Sequence, residues 1–204
     1  MLTNQQVRLL ERLRVKYPGN RMDKFAIDPR AHDATATLVA NDLGLDSLPI
    51  MRILDLGSGF GYFLNVVRRF GHVAIGLDNP NPMIRDAAVV LGVSIVHKAI
   101  VSGEPMTRRI EDSFGLVSMF GVNLHDGKDY WDAEKYAFLA ADIRSRLRPG
   151  GAWVIRPNAP VKPGSPTACL MDRDWWQKVA GPDAEISTTI NVYFQVTIKW
   201  PQST

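Results

Sequence analysis

Cysteine is nearly absent from the chain: Cys169 stands alone among 204 residues. That excludes an intrachain disulfide, and one thiol by itself builds no zinc site. The pattern agrees with a reducing compartment, and we expect a cytoplasmic protein without a bound metal. Long apolar runs are missing as well. None approaches the ~20 residues that span a membrane, and the polar start, Met1 to Arg8, lacks the apolar core of a signal peptide. We therefore expect no membrane partner. Charge of one sign is scarce too, at 24 Lys and Arg against 21 Asp and Glu, a net +3. So mild an excess gives no reason to invoke nucleic acid. The basic clusters at Arg68-Arg69, Arg108-Arg109 and Arg144 to Arg148 read as solvated helix faces. Repeats, low-complexity tracts and long insertions are also lacking.

What the chain does have is apolar content, 46% of its residues. That suffices for one well-buried core and a single domain over 1–204. The chain is organised around residues 51–78. Met51 to Leu56 is a mostly apolar run carrying one acid, Asp55. Gly57, Gly59 and Gly61 follow, then an apolar-periodic stretch from Tyr62 to Phe70, closed by Gly71. Val73 to Leu77 is a second apolar run and ends on Asp78. The order reads as strand, tight turn, helix, strand, a right-handed parallel crossover. Glycines let a ligand lie against the main chain, and the first turn of the helix offers unpaired N–H groups. An acid at the end of the second strand suits ribose hydroxyls. A nucleoside-containing ligand is implied, with its sugar on Asp78.

The dinucleotide fingerprint G-x-G-x-x-G is not met. The third glycine comes one residue early, as Gly61, and Tyr62 stands where the dinucleotide glycine belongs. Leu54-Asp55-Leu56-Gly57-Ser58-Gly59-Phe60-Gly61 instead resembles the first motif of the class I S-adenosylmethionine-dependent methyltransferases. Gly76-Leu77-Asp78 resembles their second. Leu147-Arg148-Pro149-Gly150-Gly151 resembles their turn into the fifth strand, and Ser118 to His125 the motif that ends their fourth. The resemblance implies an α/β, doubly wound, Rossmann-like, mostly parallel sheet, with 50–204 as the S-adenosylmethionine-binding core and 1–49 as an N-terminal helical cap. Gly57, Ser58 and Gly59 would approach the methionine part of the cofactor. Asp55 would receive its amino group, Asp78 would hold the ribose, Asn79 and Met83 would border the adenine, and Phe120 would line the site. One departure concerns the adenine. Relatives commonly carry an aspartate after the third strand, where this chain has His97-Lys98-Ala99-Ile100. Either backbone groups read the base there, or the alignment is displaced by a few residues. Gly115 likewise stands where relatives commonly carry Asp.

Ligands of open parallel sheets bind beyond the carboxyl ends of the strands, so Asn123 to Asp126 are expected near the reacting methyl. His125 is the first candidate for a general base, because an imidazole ordinarily titrates near neutrality, and Asp126 is the second. Many such enzymes work by positioning without a base. The acceptor is expected to be a small molecule methylated at oxygen or nitrogen. The alternatives are a protein or RNA acceptor, or an inactive binding protein of the same fold.

The flanks are read from periodicity and caps. Residues 3–16 predict a helix with a stripe of Val7, Leu9, Leu10, Leu13 and Val15. Asp33 is taken as the cap of a second helix, Ala34 to Leu43. These helices either lie over the ligand site, complete the core or make a homodimer contact. Residues 17–32 are loop-like yet carry Tyr17, Phe25 and His32. Pro80 and Pro82 introduce a helix from Met83 to Leu91, with Gly92 as its stop, and Val93 to Val96 is the third strand. Phe114 to Phe120 is the fourth, 132–147 an amphipathic helix, and Ala152 to Ile155 the fifth strand. A long loop holds Pro157, Pro160, Pro163 and Pro166. Trp175 and Trp176 lie on a short helix capped by Asp172 or Asp174, and read as core sooner than as a substrate wall. From Ile186 to Trp200 apolar residues keep one parity, which fits one long strand or two antiparallel ones. Two are preferred, with Asn191 as the turn residue.

Overall fold

A computed structural model describes residues 1–106, 110, 113–127, 129–157, 167–190 and 194–201. Seven strands form one sheet in the order β3-β2-β1-β4-β7-β9-β8. The chain divides into two compact units, Met1–Ala99 and Ile100–Thr204.

The first unit holds α1 (Asn4–Lys16), α2 (Pro29–Asp42), β1 (Arg52–Leu56), α3 (Tyr62–Arg69), β2 (Val73–Asp78), α4 (Pro82–Leu91) and β3 (Ser94–His97). β2 pairs in parallel with both β1 and β3. Ile53, Leu54 and Leu56 have no exposed surface, the continuous burial expected of a strand covered on both faces. A reciprocal cap starts α1: the Thr3 hydroxyl accepts from the Gln6 N–H at 3.1 Å and the Gln6 side chain from the Thr3 N–H at 3.0 Å. Val7, Leu10 and Leu13 are buried as expected, but Leu9 is 37% and Val15 84% exposed. Each of those two lies two residues from a buried one, roughly 200° round the helix.

The second helix starts earlier than Asp33. Its cap is Asp28, which accepts from the Ala31 N–H at 3.0 Å, and Pro29 is its first residue. Proline is preset for that position and loses no hydrogen bond there, so Asp28-Pro29 outcompetes Asp33. The consequence is that Asp33 turns inward. It is 3% exposed and accepts from the Arg69 guanidinium at 3.1 and 3.2 Å, joining α2 to α3.

The second unit holds β4 (Phe114–Phe120), a two-stranded hairpin of β5 (His125–Asp126) and β6 (Asp129–Tyr130), α5 (Ala133–Arg146), β7 (Leu147–Arg156), α6 (Arg173–Ala180), β8 (Glu185–Ile190) and β9 (Phe194–Lys199). β4 and β7 are parallel, and β9 runs antiparallel to both β7 and β8. The C-terminal parity pattern is therefore two strands. Asn191, offered as the turn residue, lies outside the described residues, as do Arg108-Arg109 and most of the proline-rich loop. The fifth strand begins at Leu147 rather than Ala152. Phe114 pairs with Leu147 but Leu116 with Ala152, so Arg148 to Gly151 form an irregular insert within the strand. Gly151 must be glycine here, since a Cβ would sit 2.9 Å from the Phe114 and Arg148 carbonyls. Trp176 is fully buried and meets Trp153 edge to face at 5.6 Å, which makes it core. Trp175 is half-buried against Tyr136 at 5.2 Å.

Candidate functional site

The turn after β1 is where the first unit gathers its chemistry. Gly57, Gly59 and Gly61 all have positive φ, at 70°, 54° and 88°, a region where other residues are strained. The Asp78 carboxylate closes this turn. One oxygen accepts from the Gly59 N–H at 2.6 Å and the other from the Asn79 N–H at 2.7 Å. Burial pushes the Asp78 pKa up, while those two N–H bonds, His97 and Arg21 pull it back. A carboxylate offers about four lone-pair directions, so two remain beyond the pair that holds the turn.

Asp55, one strand over, is 4% exposed. Ser58 is half-buried, and its Oγ is shielded from water without a hydrogen-bond partner among the described residues. It presses on β2, where a Cβ at Gly76 would lie 2.5 Å from that oxygen. A buried hydroxyl without a partner is unusual. The glycine turn, the spare lone pairs of Asp78 and this hydroxyl together fit a nucleoside with a polar tail. Asn79 is exposed. Met83 has no exposed surface, and its N–H donates to the Asn81 side chain at 2.9 Å.

Residues 17–32 fold onto this turn. Phe25 approaches Gly59, with ring carbons 3.8 Å from where a Cβ would stand. Its ring meets Phe60 at 5.7 Å and His32 at 5.2 Å, and His32 stacks on Tyr62 at 5.5 Å. The Tyr62 hydroxyl donates to the Phe25 carbonyl at 2.7 Å. Tyr17 donates to Asp86 of α4 at 2.7 Å, and the Asn20 and Asn81 amides bond each other reciprocally at 3.2 and 3.3 Å. Three aromatic residues in a loop-like segment were the sequence signal. Their partners were not legible.

At the end of β3, His97 pairs in register with Asp78. Its Nδ1 is buried and without a hydrogen-bond partner among the described residues. The sequence offered His97 only as the residue standing where an acid is usual.

In the second unit β4 ends at Phe120, a half-buried ring with the Arg156 guanidinium carbon 5.7 Å from its centre. Leu124 is held by its N–H donating to the Tyr136 hydroxyl at 3.3 Å. Burial pushes the Tyr136 pKa up to about 12, so that hydroxyl stays neutral. His125 and Asp126 follow on the exposed β5, with His125 edge-on to Tyr130 at 6.3 Å. Asp126 accepts from the Lys135 ammonium and the Trp131 indole, each at 2.9 Å. Those two bonds, Lys135 first, hold its pKa below the ordinary carboxylate range.

No protein-family model and no curated protein matches the chain at the level of sequence. Solved structures match at the level of fold. The glycopeptide N-methyltransferase MtfA is 13% identical over 81% of this chain and 90% of its own, with a TM-score of 0.57. A TehB-like S-adenosylmethionine-dependent methyltransferase from Corynebacterium glutamicum is 16% identical over 84% of this chain and 99% of its own, at 0.54. A ribosomal protein L11 methylase from Lactobacillus delbrueckii subsp. bulgaricus is 12% identical over 86% and 82%, at 0.54. With a seven-stranded, mostly parallel sheet and these structural neighbours, the chain carries the class I S-adenosylmethionine-dependent methyltransferase fold.

Proposed function

We propose that the chain is an S-adenosylmethionine-dependent methyltransferase acting on a small-molecule acceptor at oxygen or nitrogen. The observation that carries this reading is Asp78, which holds the glycine turn through Gly59 and keeps lone pairs for a ribose. The cofactor would supply an electrophilic methyl on a sulfonium sulfur. Asp78 holds the sugar diol. Gly57, Ser58 and Gly59 receive the amino-acid tail, with the Ser58 hydroxyl finding the partner it lacks. Asp55 faces the ammonium of that tail. Asn79 would border the base, and the buried Met83 would support that side of the site. Phe25 and Phe60 keep water from the turn, which matters because positive charge on sulfur disappears in the transfer. Alignment of the acceptor does most of the work.

His125 takes the acceptor proton. Asp126, tied to Lys135 and Trp131, is a weak base and instead fixes the hairpin that carries His125. The mild net charge of +3 favours a small acceptor over a nucleic acid. Calorimetric titration with S-adenosylmethionine and its demethylated product tests the reading, with NAD as control and Asp78→Ala alongside. Micromolar binding lost in Asp78→Ala supports it. Binding of NAD instead would replace it with a dinucleotide site.

A further inference from the structure

We propose that a cavity at the amino end of β7 binds a small aromatic carboxylate, its anion on the Arg144 and Arg148 guanidiniums and its ring against Trp200. The cavity measures about 270 Å³, at the small end of ligand pockets. Three segments of the second unit wall it. The end of α5 brings Arg144 and Leu147, the irregular insert in β7 brings Arg148 and Pro149, and the chain beyond β9 brings Trp200 and Pro201. Phe120 and Arg156 are register partners at the carboxyl ends of β4 and β7. The cavity lies before Ala152, at least ~13 Å back along β7 from Arg156. Its occupant is therefore not the methyl acceptor, whose expected place is beyond the carboxyl ends.

The first observation is charge. The basic run from Arg144 to Arg148 does not form one solvated face. Arg146 turns inward, 8% exposed, and donates to the Asp142 carboxylate and the Ile110 carbonyl. Arg144 and Arg148 are left on the cavity. Asp183 accepts from the two terminal nitrogens of Arg144 at 3.3 and 2.6 Å. That fixes the guanidinium plane and leaves N–H donors to spare. Arg148 is exposed and pairs with no acid among the described residues. Two guanidiniums against the one Asp183 carboxylate leave the mouth positive, and a planar guanidinium matches a carboxylate.

The second observation is a fixed aromatic wall. The last register pair of β7 and β9 is Ala152 with Lys199, so Trp200 stands one step beyond it, beside the insert. Its indole N–H donates to the Ala180 carbonyl at 3.0 Å, which sets the ring plane. The Arg144 guanidinium carbon lies 6.0 Å from the ring centre. Leu147, Pro149 and Pro201 make the rest of the wall apolar. An apolar wall with a cationic rim selects a ligand that has both a ring and an anion. An anion without a ring leaves the wall wet, and a ring without a charge leaves the rim unpaired.

The test titrates the full chain with 2-naphthoate and follows the indole N–H signals of its five tryptophans by NMR. Trp200→Phe assigns the Trp200 signal. That signal should move saturably while the signal of the buried Trp176 stays. Two control probes divide the ligand: 2-naphthol keeps the rings and is neutral at pH 7, and acetate keeps the anion. Each should bind at least ~5-fold more weakly than 2-naphthoate. Arg148→Ala should weaken 2-naphthoate about fivefold and Arg148→Glu further, and both should leave 2-naphthol unchanged. A still Trp200 signal overturns the assignment. So does equal binding of either control, or an unchanged 2-naphthoate affinity in Arg148→Glu. If the Arg148 variants fail to fold, salt decides on the native protein. Raising it from about 0.05 M to about 0.5 M should weaken 2-naphthoate and spare 2-naphthol, and equal responses overturn the role of the guanidiniums.

Discussion

The Tyr62 hydroxyl donates to the Phe25 carbonyl at 2.7 Å, tying the first residue of α3 to the segment that covers the glycine turn. Burial, with Asp33 and Asp28 adding to it, pushes the Tyr62 pKa up, so this donor stays protonated throughout the usable pH range. Tyr62→Phe removes the bond and keeps the ring. We expect a loss of about 1 kcal/mol, concentrated in residues 20–27. Their amide hydrogens should exchange about fivefold faster while those of β1 do not change. Uniform acceleration across both would show that the bond serves the whole unit and not the cap.

Arg69→Ala leaves the Asp33 carboxylate buried without its guanidinium, the costly way to break such a pair. The Arg69 side chain is 29% exposed, so the expected cost is about 2–3 kcal/mol, at or below the low end for buried pairs. Removing Asp33 as well should restore part of it. Urea unfolding of the two single variants and the double variant measures this. A loss in the double variant equal to the sum of the two single losses would mean the pair is not coupled.

Gly76→Ala brings a Cβ to 2.5 Å from the Ser58 Oγ and 2.8 Å from Leu64 Cδ1. Leu64 can rotate, but Ser58 is fixed to the turn. Overpacking of this kind costs about 1–3 kcal/mol and should weaken cofactor binding more than 10-fold by displacing the turn. Adding Ser58→Gly clears the space and should recover stability. No recovery in the double variant would place the clash elsewhere.

The Asp126–Lys135 contact has a defined pH window. The Asp126 pKa is held below its ordinary 3.8 by Lys135 and then Trp131, so its contribution is present above 3.8 and lost as pH falls through the lowered value. Lys135 is raised above 10.5, chiefly by Asp126, so its contribution is present below 10.5 and lost as pH climbs through the raised value. Between those limits the Trp131 indole N–H signal should not move in an NMR titration, and it should shift at acid pH as Asp126 protonates. A shift centred near neutrality would contradict the contact.

His125→Ala should lower kcat about 10²-fold at neutral pH, the lower range for general base catalysis. Cofactor affinity should stay unchanged, and activity should recover in part at alkaline pH. Asp126→Asn should cost far less. Unchanged kcat in His125→Ala would mean that positioning suffices.

What local chemistry dictates was legible before any coordinates. Pro82 and Gly92 bound α4 because a preset φ and a left-handed terminus are properties of single residues, while the cap itself, Asn81, was found only in the structure. The glycine turn and Asp78 were legible for the same reason. The start of α2 was misread because two aspartates both make good caps. Pro29 decides between them, and the choice places Asp33 inside.

The amino-acid order by itself determined the strand-turn-helix-strand unit, the apolar runs and the acid at the end of β2. Tertiary structure alone decided which residues meet. Phe25 lies on Gly59, Ser58 presses on Gly76, and His97 stands in register with Asp78. Each of these contacts depends on strand register and on the path of a distant segment. Propensity and periodicity act over a few residues and carry no information about register.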